Sequence, residues 1–198
     1  MAKLYFKYGA MNSGKSTILL QSAHNYEERG MRTVIMKPFL DTKGADKVVS
    51  RLGVTRIVDY LIKADDSISD IITRDLAEKG PLHCIFVDEC QFLTVRQADE
   101  LFWTAVEKDI PVICYGLRTD FLTNGFAASS RLLEMAHSIE EMKTICRCGK
   151  KAMFNARMIN GEFVFHGEQV AIDNENNVEY ESLCPTCYLR EKKKQGLI

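Results

Sequence analysis

One stretch near the N-terminus, residues 9–16, constrains the fold more than any other. It reads Gly-Ala-Met-Asn-Ser-Gly-Lys-Ser, which has the form G-x-x-x-x-G-K-S. An apolar, aromatic run at 4–8 precedes it and predicts a buried strand, and the sequence at 17–23 predicts a helix. A glycine-rich loop between a strand and a helix is the setting in which this pattern binds phosphate. The sequence therefore predicts a strand, a phosphate-binding loop and a helix.

The residue types of this loop suit a nucleoside triphosphate. Gly9 and Gly14 let the backbone approach a phosphate without an intervening Cβ, and the following helix offers unpaired N–H groups to the anion. Lys15 would reach the β- and γ-phosphates, and the Ser16 hydroxyl would ligate Mg²⁺. The predicted nucleotide-binding residues of the loop are Gly9, Ala10, Met11, Asn12, Ser13, Gly14, Lys15 and Ser16. The alternative is a glycine-rich turn that caps a helix and binds nothing.

The composition limits the class of protein to which the chain can belong. A chain of 198 residues suggests one domain with room for a small appendage. The net charge of −1 leaves no overall basic surface for nucleic acid. The sequence has no apolar run of about 18 residues that would span a membrane, and its start lacks a signal-peptide layout. We therefore expect a cytoplasmic protein that binds neither nucleic acid nor membrane.

Apolar strands alternate with amphipathic helices after the loop. Strands are predicted at 32–37, 82–87, 110–115 and 139–143, and helices at 65–79, 94–108 and 127–135. The polar stretch at 41–56 predicts a long loop. Continuous apolar strands between helices predict an α/β fold with a central parallel sheet. With the phosphate loop after the first strand, residues 1–143 are predicted to form a RecA-like P-loop NTPase core.

Two acids follow the third predicted strand. Asp88 and Glu89 stand where a P-loop protein carries its Walker B carboxylates. We predict that Asp88 assists Mg²⁺ binding and that Glu89 acts as the general base for an attacking hydroxyl or water. The alternative is that both acids only cap the next helix.

Four of the seven cysteines form two close pairs late in the chain. Cys146-x-Cys148 and Cys184-x-x-Cys187 offer four thiolates, a set that favours structural Zn²⁺ and would close a small lobe at 144–198. His137 and His166 are alternative ligands. The other cysteines are predicted to be small core residues, and they are Cys84, Cys90 and Cys114.

These features favour a small-molecule kinase over other P-loop classes. The sequence lacks the N-K-x-D motif of a regulatory GTPase and the basic face of a nucleic-acid motor. The lobe at 144–198 could supply the acceptor pocket as a lid. Two alternatives stay open: a kinase for another deoxynucleoside, and a zinc-bearing ATPase or nucleic-acid-binding module with no small acceptor.

Several motifs together resemble the type II thymidine kinases. They are the loop at 9–16, Ser-Arg-Leu-Gly at 50–53, Asp-Glu-Cys-Gln-Phe at 88–92, Gly-Leu-Arg-Thr-Asp-Phe at 116–121, Val-Glu-Tyr-Glu-Ser at 178–182 and the two cysteine pairs. The resemblance runs over nearly the whole chain. It implies transfer of the γ-phosphoryl group of ATP to the 5′-hydroxyl of thymidine, or of deoxyuridine, giving dTMP and ADP.

The resemblance also implies roles for individual residues. Glu89 would take the proton from the 5′-hydroxyl, Arg51 would lie near the phosphates, and Gln91 would join Asp88 among the ATP-site residues. The nucleoside pocket would be lined by Phe92, Leu117, Phe121, Phe126 and Tyr180. A long lasso loop of the zinc lobe, at about 155–183, would close over the nucleoside.

The family further implies a homotetramer and feedback inhibition by dTTP. Two departures from its pattern are visible. Lys43 stands where the family often has arginine, and both metal-ligand pairs are all-cysteine where some members use a histidine.

Overall fold

The elements of the chain are given by a computed structural model that describes residues 1–39, 46–167, 169 and 177–197. The helices are α1 (Lys15–Glu27), α2 (Ile68–Lys79), α3 (Val95–Glu107), α4 (Ala127–Met135) and α5 (Pro185–Lys194). The strands are β1 (Leu4–Tyr8), β2 (Thr33–Pro38), β3 (Lys47–Val49), β4 (Thr55–Ile57), β5 (Tyr60–Ile62), β6 (Cys84–Val87), β7 (Val112–Gly116), β8 (Ser138–Glu141), β9 (Thr144–Ile145), β10 (Lys151–Ala152), β11 (Phe154–Ile159), β12 (Glu162–Val164) and β13 (Val178–Leu183).

Six strands form one parallel sheet in the order β5-β2-β6-β7-β1-β8. Its central strands are apolar on both faces, and all four residues of β6 are buried. A parallel sheet of this kind needs a cover on each side. One face packs against α2, α3 and α4, and the other packs against α1. The predicted α/β class with a central parallel sheet is confirmed.

Local sequence signals set the starts of two helices in this cover. Ser67 caps α2 by accepting a hydrogen bond from the Asp70 N–H at 3.2 Å. Thr94 and Gln97 form a reciprocal capping box at the start of α3. Each arrangement satisfies donors that a helix leaves unpaired in its first turn.

The prediction of a long loop at 41–56 is wrong for the part that the structure describes. From residue 46 the chain forms a β3–β4 hairpin, with its turn closed by the Gly53 N–H donating to the Ser50 carbonyl at 3.0 Å. The strands are three residues long, too short to show a period, and only Val48 is fully buried. The edge strand β5 was not predicted from the sequence, because it is also only three residues long.

The chain after residue 143 builds a smaller antiparallel unit. The hairpin β9–β10 precedes a three-stranded sheet in the order β12-β11-β13, and α5 packs against that sheet. A separate apolar cluster around Ala156, Leu183 and Tyr188 fills it. The predicted lasso loop at 155–183 falls partly outside the described residues, and Lys43 lies outside them altogether.

In residues 1–39, 46–167, 169 and 177–197, no helix is both long and apolar enough to cross a membrane.

Candidate active site

The predicted phosphate loop runs from the end of β1 into α1. Gly14 stands at the helix N-cap with φ of 81°, a left-handed conformation that favours glycine. Lys15 is the first residue of α1, and its ammonium donates to the carbonyls of Gly9 at 3.1 Å and Ala10 at 3.0 Å. These contacts curl the loop around the lysine. The first N–H groups of α1 are left to face an anion.

The charges beneath this loop perturb one another. Burial lowers the pKa of Lys15, an effect opposed by the carboxylates of Glu89 and Asp88. Burial, with a smaller contribution from the neighbouring Glu89, raises the pKa of Asp88 to about 7. Desolvation disfavours the charged form of each group. A bound anion would favour the charged form of Lys15, and a bound cation would favour that of Asp88.

Asp88 has the geometry expected of a metal-assisting acid. Its Oδ2 accepts a hydrogen bond from the Ser16 hydroxyl at 3.4 Å. Its buried Oδ1 has no hydrogen-bond partner among the described residues. An unsatisfied carboxylate oxygen beside a hydroxyl fits Mg²⁺, which takes oxygen ligands and retains waters.

Glu89 is held in an unusual backbone conformation directly after β6. Its φ is 51°, in the left-handed region that non-glycine residues seldom occupy. Gln91 donates to the Glu89 carboxylate at 2.6 Å and accepts from the Leu117 N–H at 2.9 Å. A Cβ on Gly116 would stand 2.6 Å from that same Gln91 oxygen. The position of Glu89 therefore depends on close packing between the ends of β6 and β7.

A cleft of about 560 Å³ opens above the phosphate loop. Seven residues predicted for the ATP site or for catalysis line it, namely Met11, Asn12, Gly14, Lys15, Ser16, Arg51 and Glu89. Five others predicted for the ATP site are not among its lining residues: Gly9, Ala10, Ser13, Asp88 and Gln91. Arg51 reaches the cleft from the β3–β4 hairpin, together with Val49 and Leu52.

A second cavity of about 170 Å³ adjoins the first. It is lined by all five predicted nucleoside-pocket residues, Phe92, Leu117, Phe121, Phe126 and Tyr180. Phe92 and Phe126 meet edge to face with ring centroids 5.5 Å apart. Met11 and Leu117 border both cavities, so the two spaces meet at a shared wall.

Four polar or charged residues in or beside this second cavity were not predicted as site residues. Asp120, Asn155 and Gln169 line it, and Gln169 donates to an Asp120 oxygen at 3.3 Å. Arg157 lies behind them, 97% buried, with its guanidinium carbon 3.6 Å from the Phe121 ring centroid. Its Nε donates to the Tyr180 hydroxyl at 3.0 Å, which fixes two pocket aromatics at once. Asn155 and Arg157 stand two residues apart on β11, a spacing that places both on one face of the strand.

The four late cysteines come together as predicted. Their sulfur atoms all lie within 4.8 Å of one another, and Cys148 Sγ is 3.6 Å from Cys146 Sγ and 3.5 Å from Cys184 Sγ. Tetrahedral Zn²⁺ with Zn–S bonds of about 2.3 Å separates its sulfurs by about 3.8 Å. A disulfide would bring two of them to about 2.05 Å. The cluster fits Zn²⁺ held by four thiolates.

The pKa values of two of the four thiols are shifted in opposite directions. The Cys187 N–H, at the start of α5, donates to Cys184 Sγ at 3.4 Å and lowers the pKa of that thiol to about 6. Hydrogen bonding to Cys148 raises the pKa of Cys187 to about 12. The two histidines considered as ligands lie elsewhere: His137 accepts from the Leu4 N–H, and His166 is exposed.

Metal analysis of the purified chain is expected to give about one zinc per chain. Replacing Cys148 by serine should lower the zinc content and the thermal midpoint, because a structural metal contributes directly to folding. Cys84→Ala is the control for zinc content, since Cys84 is a buried core thiol of β6 outside the cluster. A metal-free chain that folds with the stability of the zinc-loaded protein would contradict the four-cysteine site.

Comparison with known proteins assigns the family. The family model for thymidine kinase matches residues 2–188. A thymidine kinase of Yersinia pseudotuberculosis is 46% identical over 190 residues, covering 95% of each chain. One from Rhodopirellula baltica is 46% identical over 187 residues, covering 93% of this chain and 86% of the relative. One from Xanthomonas axonopodis pv. citri is 44% identical over 200 residues, covering 100% of this chain and 94% of the relative.

The fold and the two adjoining cavities thus belong to an α/β protein with a phosphate-loop motif and a four-cysteine cluster. The chain is a member of the thymidine kinase family. The family resemblance stated from the sequence motifs is confirmed.

Proposed function

We propose that this chain is a thymidine kinase that transfers the γ-phosphoryl group of ATP to the 5′-hydroxyl of thymidine, giving dTMP and ADP. Family membership supports this function. The structural observation that supports it most directly is that two cavities meet at Met11 and Leu117. One cavity lies above the phosphate loop, and the other is lined by aromatic rings. A donor and an acceptor bound there would face each other.

The residues divide the chemistry between them. Lys15 and the N–H groups at the start of α1 would bind the β- and γ-phosphates, with Arg51 reaching the same cleft from the hairpin. Ser16 and Asp88 would hold Mg²⁺, which when bound neutralises charge on the β- and γ-phosphate oxygens. We assign this part of the chain, residues 1–143, as a RecA-like P-loop NTPase core.

Glu89 would serve as the general base. It borders the donor cleft near the shared wall, where a 5′-hydroxyl entering from the aromatic cavity would arrive. Its carboxylate would accept the hydroxyl proton as the oxygen bonds to the γ-phosphorus and ADP departs with the electrons of the broken P–O bond. Gln91 would keep the carboxylate oriented through its 2.6 Å hydrogen bond. The protein's part is positioning and charge neutralisation.

The second cavity would hold the nucleoside. Phe92 and Phe126 supply an apolar edge-to-face pair, and Tyr180 is anchored by Arg157. We propose that residues 144–198 form a zinc-binding lobe whose lasso loop closes over this pocket. The homotetramer and the dTTP inhibition stay predictions implied by the family resemblance, and the cytoplasmic location stays a prediction from the sequence.

A phosphoryl-transfer assay with ATP and Mg²⁺ tests the function directly. Thymidine should be phosphorylated, deoxyuridine should also be accepted, and deoxycytidine should react least. A preference for deoxycytidine would instead indicate a kinase for another deoxynucleoside. ATP hydrolysis that needs no nucleoside and responds to DNA would indicate an ATPase or nucleic-acid-binding module.

A further inference from the structure

The peptide groups of Met11 are held from both sides by the C-terminal unit. The Met11 N–H donates to Asn155 Oδ1 at 2.7 Å, and the Met11 carbonyl accepts from the Ser182 hydroxyl at 2.5 Å. The neighbouring Asn12 carbonyl accepts from the Thr144 hydroxyl at 3.2 Å. Three side chains from beyond residue 143 therefore bond to two consecutive residues of the phosphate loop.

The two side chains that bond to Met11 are neighbours on adjacent strands. Asn155 on β11 and Ser182 on β13 stand directly opposite each other in the antiparallel ladder. Both are at least 95% buried, where a lost hydrogen bond is not replaced by water. Strand β13 ends at Leu183, next to the ligand residue Cys184. The cysteine cluster therefore anchors the end of the strand that holds the loop.

Met11 is also the loop residue that borders both cavities. Its N–H is already bonded to Asn155 and is not free for a phosphate, so its orientation is set from outside the loop. We propose that Ser182 and Thr144, with Asn155, are positioning residues that fix the phosphate loop in its ATP-binding shape. This inference rests on the proposed function only in taking the loop as the ATP site. It makes the C-terminal unit a structural part of that site as well as a nucleoside lid.

Ser182→Ala is the variant that tests this role. It removes the donor to the Met11 carbonyl, and Ser182 is not among the residues that line the nucleoside cavity. A net hydrogen-bond contribution of about 0.5–1.5 kcal/mol corresponds to a rise of about 2- to 12-fold in KM for ATP. KM for thymidine should change by less than about twofold, and Ser182→Thr, which keeps a hydroxyl, should restore ATP binding.

Gln195→Ala is the matched control. Gln195 donates to the Phe163 carbonyl at 2.6 Å, a hydrogen bond within the same C-terminal unit that does not touch the phosphate loop. It should leave KM for ATP unchanged. Thr144→Val is the second variant and should raise KM for ATP in the same direction, which guards against a Ser182→Ala protein that folds poorly.

Direct binding separates failure of this inference from failure of the proposed function. The dissociation constant of a non-hydrolysable ATP analogue is measured by calorimetry on the zinc-loaded chain and its variants. If the unaltered chain does not bind the analogue, the proposed ATP site fails. If it binds, and folded Ser182→Ala and Thr144→Val bind equally well, the positioning role is overturned.

Discussion

Replacing Glu89 by glutamine is expected to lower kcat for thymidine phosphorylation by about 10²- to 10⁴-fold, the contribution typical of a general base. The amide keeps the size of the side chain and still accepts the hydrogen bond that Gln91 donates at 2.6 Å. It cannot take up the proton of the 5′-hydroxyl. The affinity for ATP should stay close to that of the unaltered chain, because Lys15 and the start of α1 are untouched.

The measurement pairs steady-state kinetics with calorimetric titration of an ATP analogue. Glu78→Gln, at an exposed position of α2, is the control for charge and should behave like the unaltered chain. Full activity in Glu89→Gln would refute the base assignment. Loss of analogue binding would show that Glu89 instead maintains the shape of the donor cleft.

Replacing Lys15 by alanine is expected to abolish detectable transfer and to weaken ATP binding. Loss of one preorganised electrostatic contact typically reduces kcat by about 10²- to 10³-fold. Lys15 also donates to two loop carbonyls, at Gly9 and Ala10, so the loop loses the group around which it curls. The first loss removes charge stabilisation from the transferred phosphoryl group, and the second loosens the loop. Transfer should therefore fall below detection, while ATP binding is weakened.

Lys7→Ala supplies the matched control for removing a lysine. Lys7 lies on β1 and pairs with the half-exposed Glu140 at 2.8 Å, a contact that contributes at most about 1 kcal/mol to stability. Its nucleotide titration should match that of the unaltered chain. Undiminished ATP binding in a folded Lys15→Ala protein would contradict the assignment of this loop to the triphosphate.

Local patterns predicted most of the core. The apolar run of β6 indicated a strand buried on both faces, and helix α4 occupies the predicted residues, Ala127–Met135. The spacing within the two cysteine pairs predicted that all four meet, because close pairs of cysteines at these spacings are typical ligands of a tetrahedral metal ion. The strand and helix signals lay within a short window of sequence, and the two cysteine pairs, 36 positions apart at Cys148 and Cys184, were joined through the ligand number that a metal requires.

Long-range contacts could not be predicted in this way. The hydrogen bond between Ser182 and Met11 joins residues 171 positions apart, and neither residue type indicates from the sequence that it forms. The hydrogen bond from Arg157 to Tyr180 likewise depends on the register of β11 against β13, and that from Gln169 to Asp120 joins two loop residues 49 positions apart. Sequence alternation indicates which face a residue takes and does not indicate which group it meets there.

Gly116 has a consequence for tolerated substitutions. A Cβ at this position would meet the Gln91 oxygen at 2.6 Å and the Cys90 sulfur at 2.7 Å. Even alanine would push on Gln91 and, through its hydrogen bond, on Glu89. The position of Glu89 thus depends on the absence of a side chain at residue 116, because Gln91 and Cys90 occupy the space that a Cβ would need.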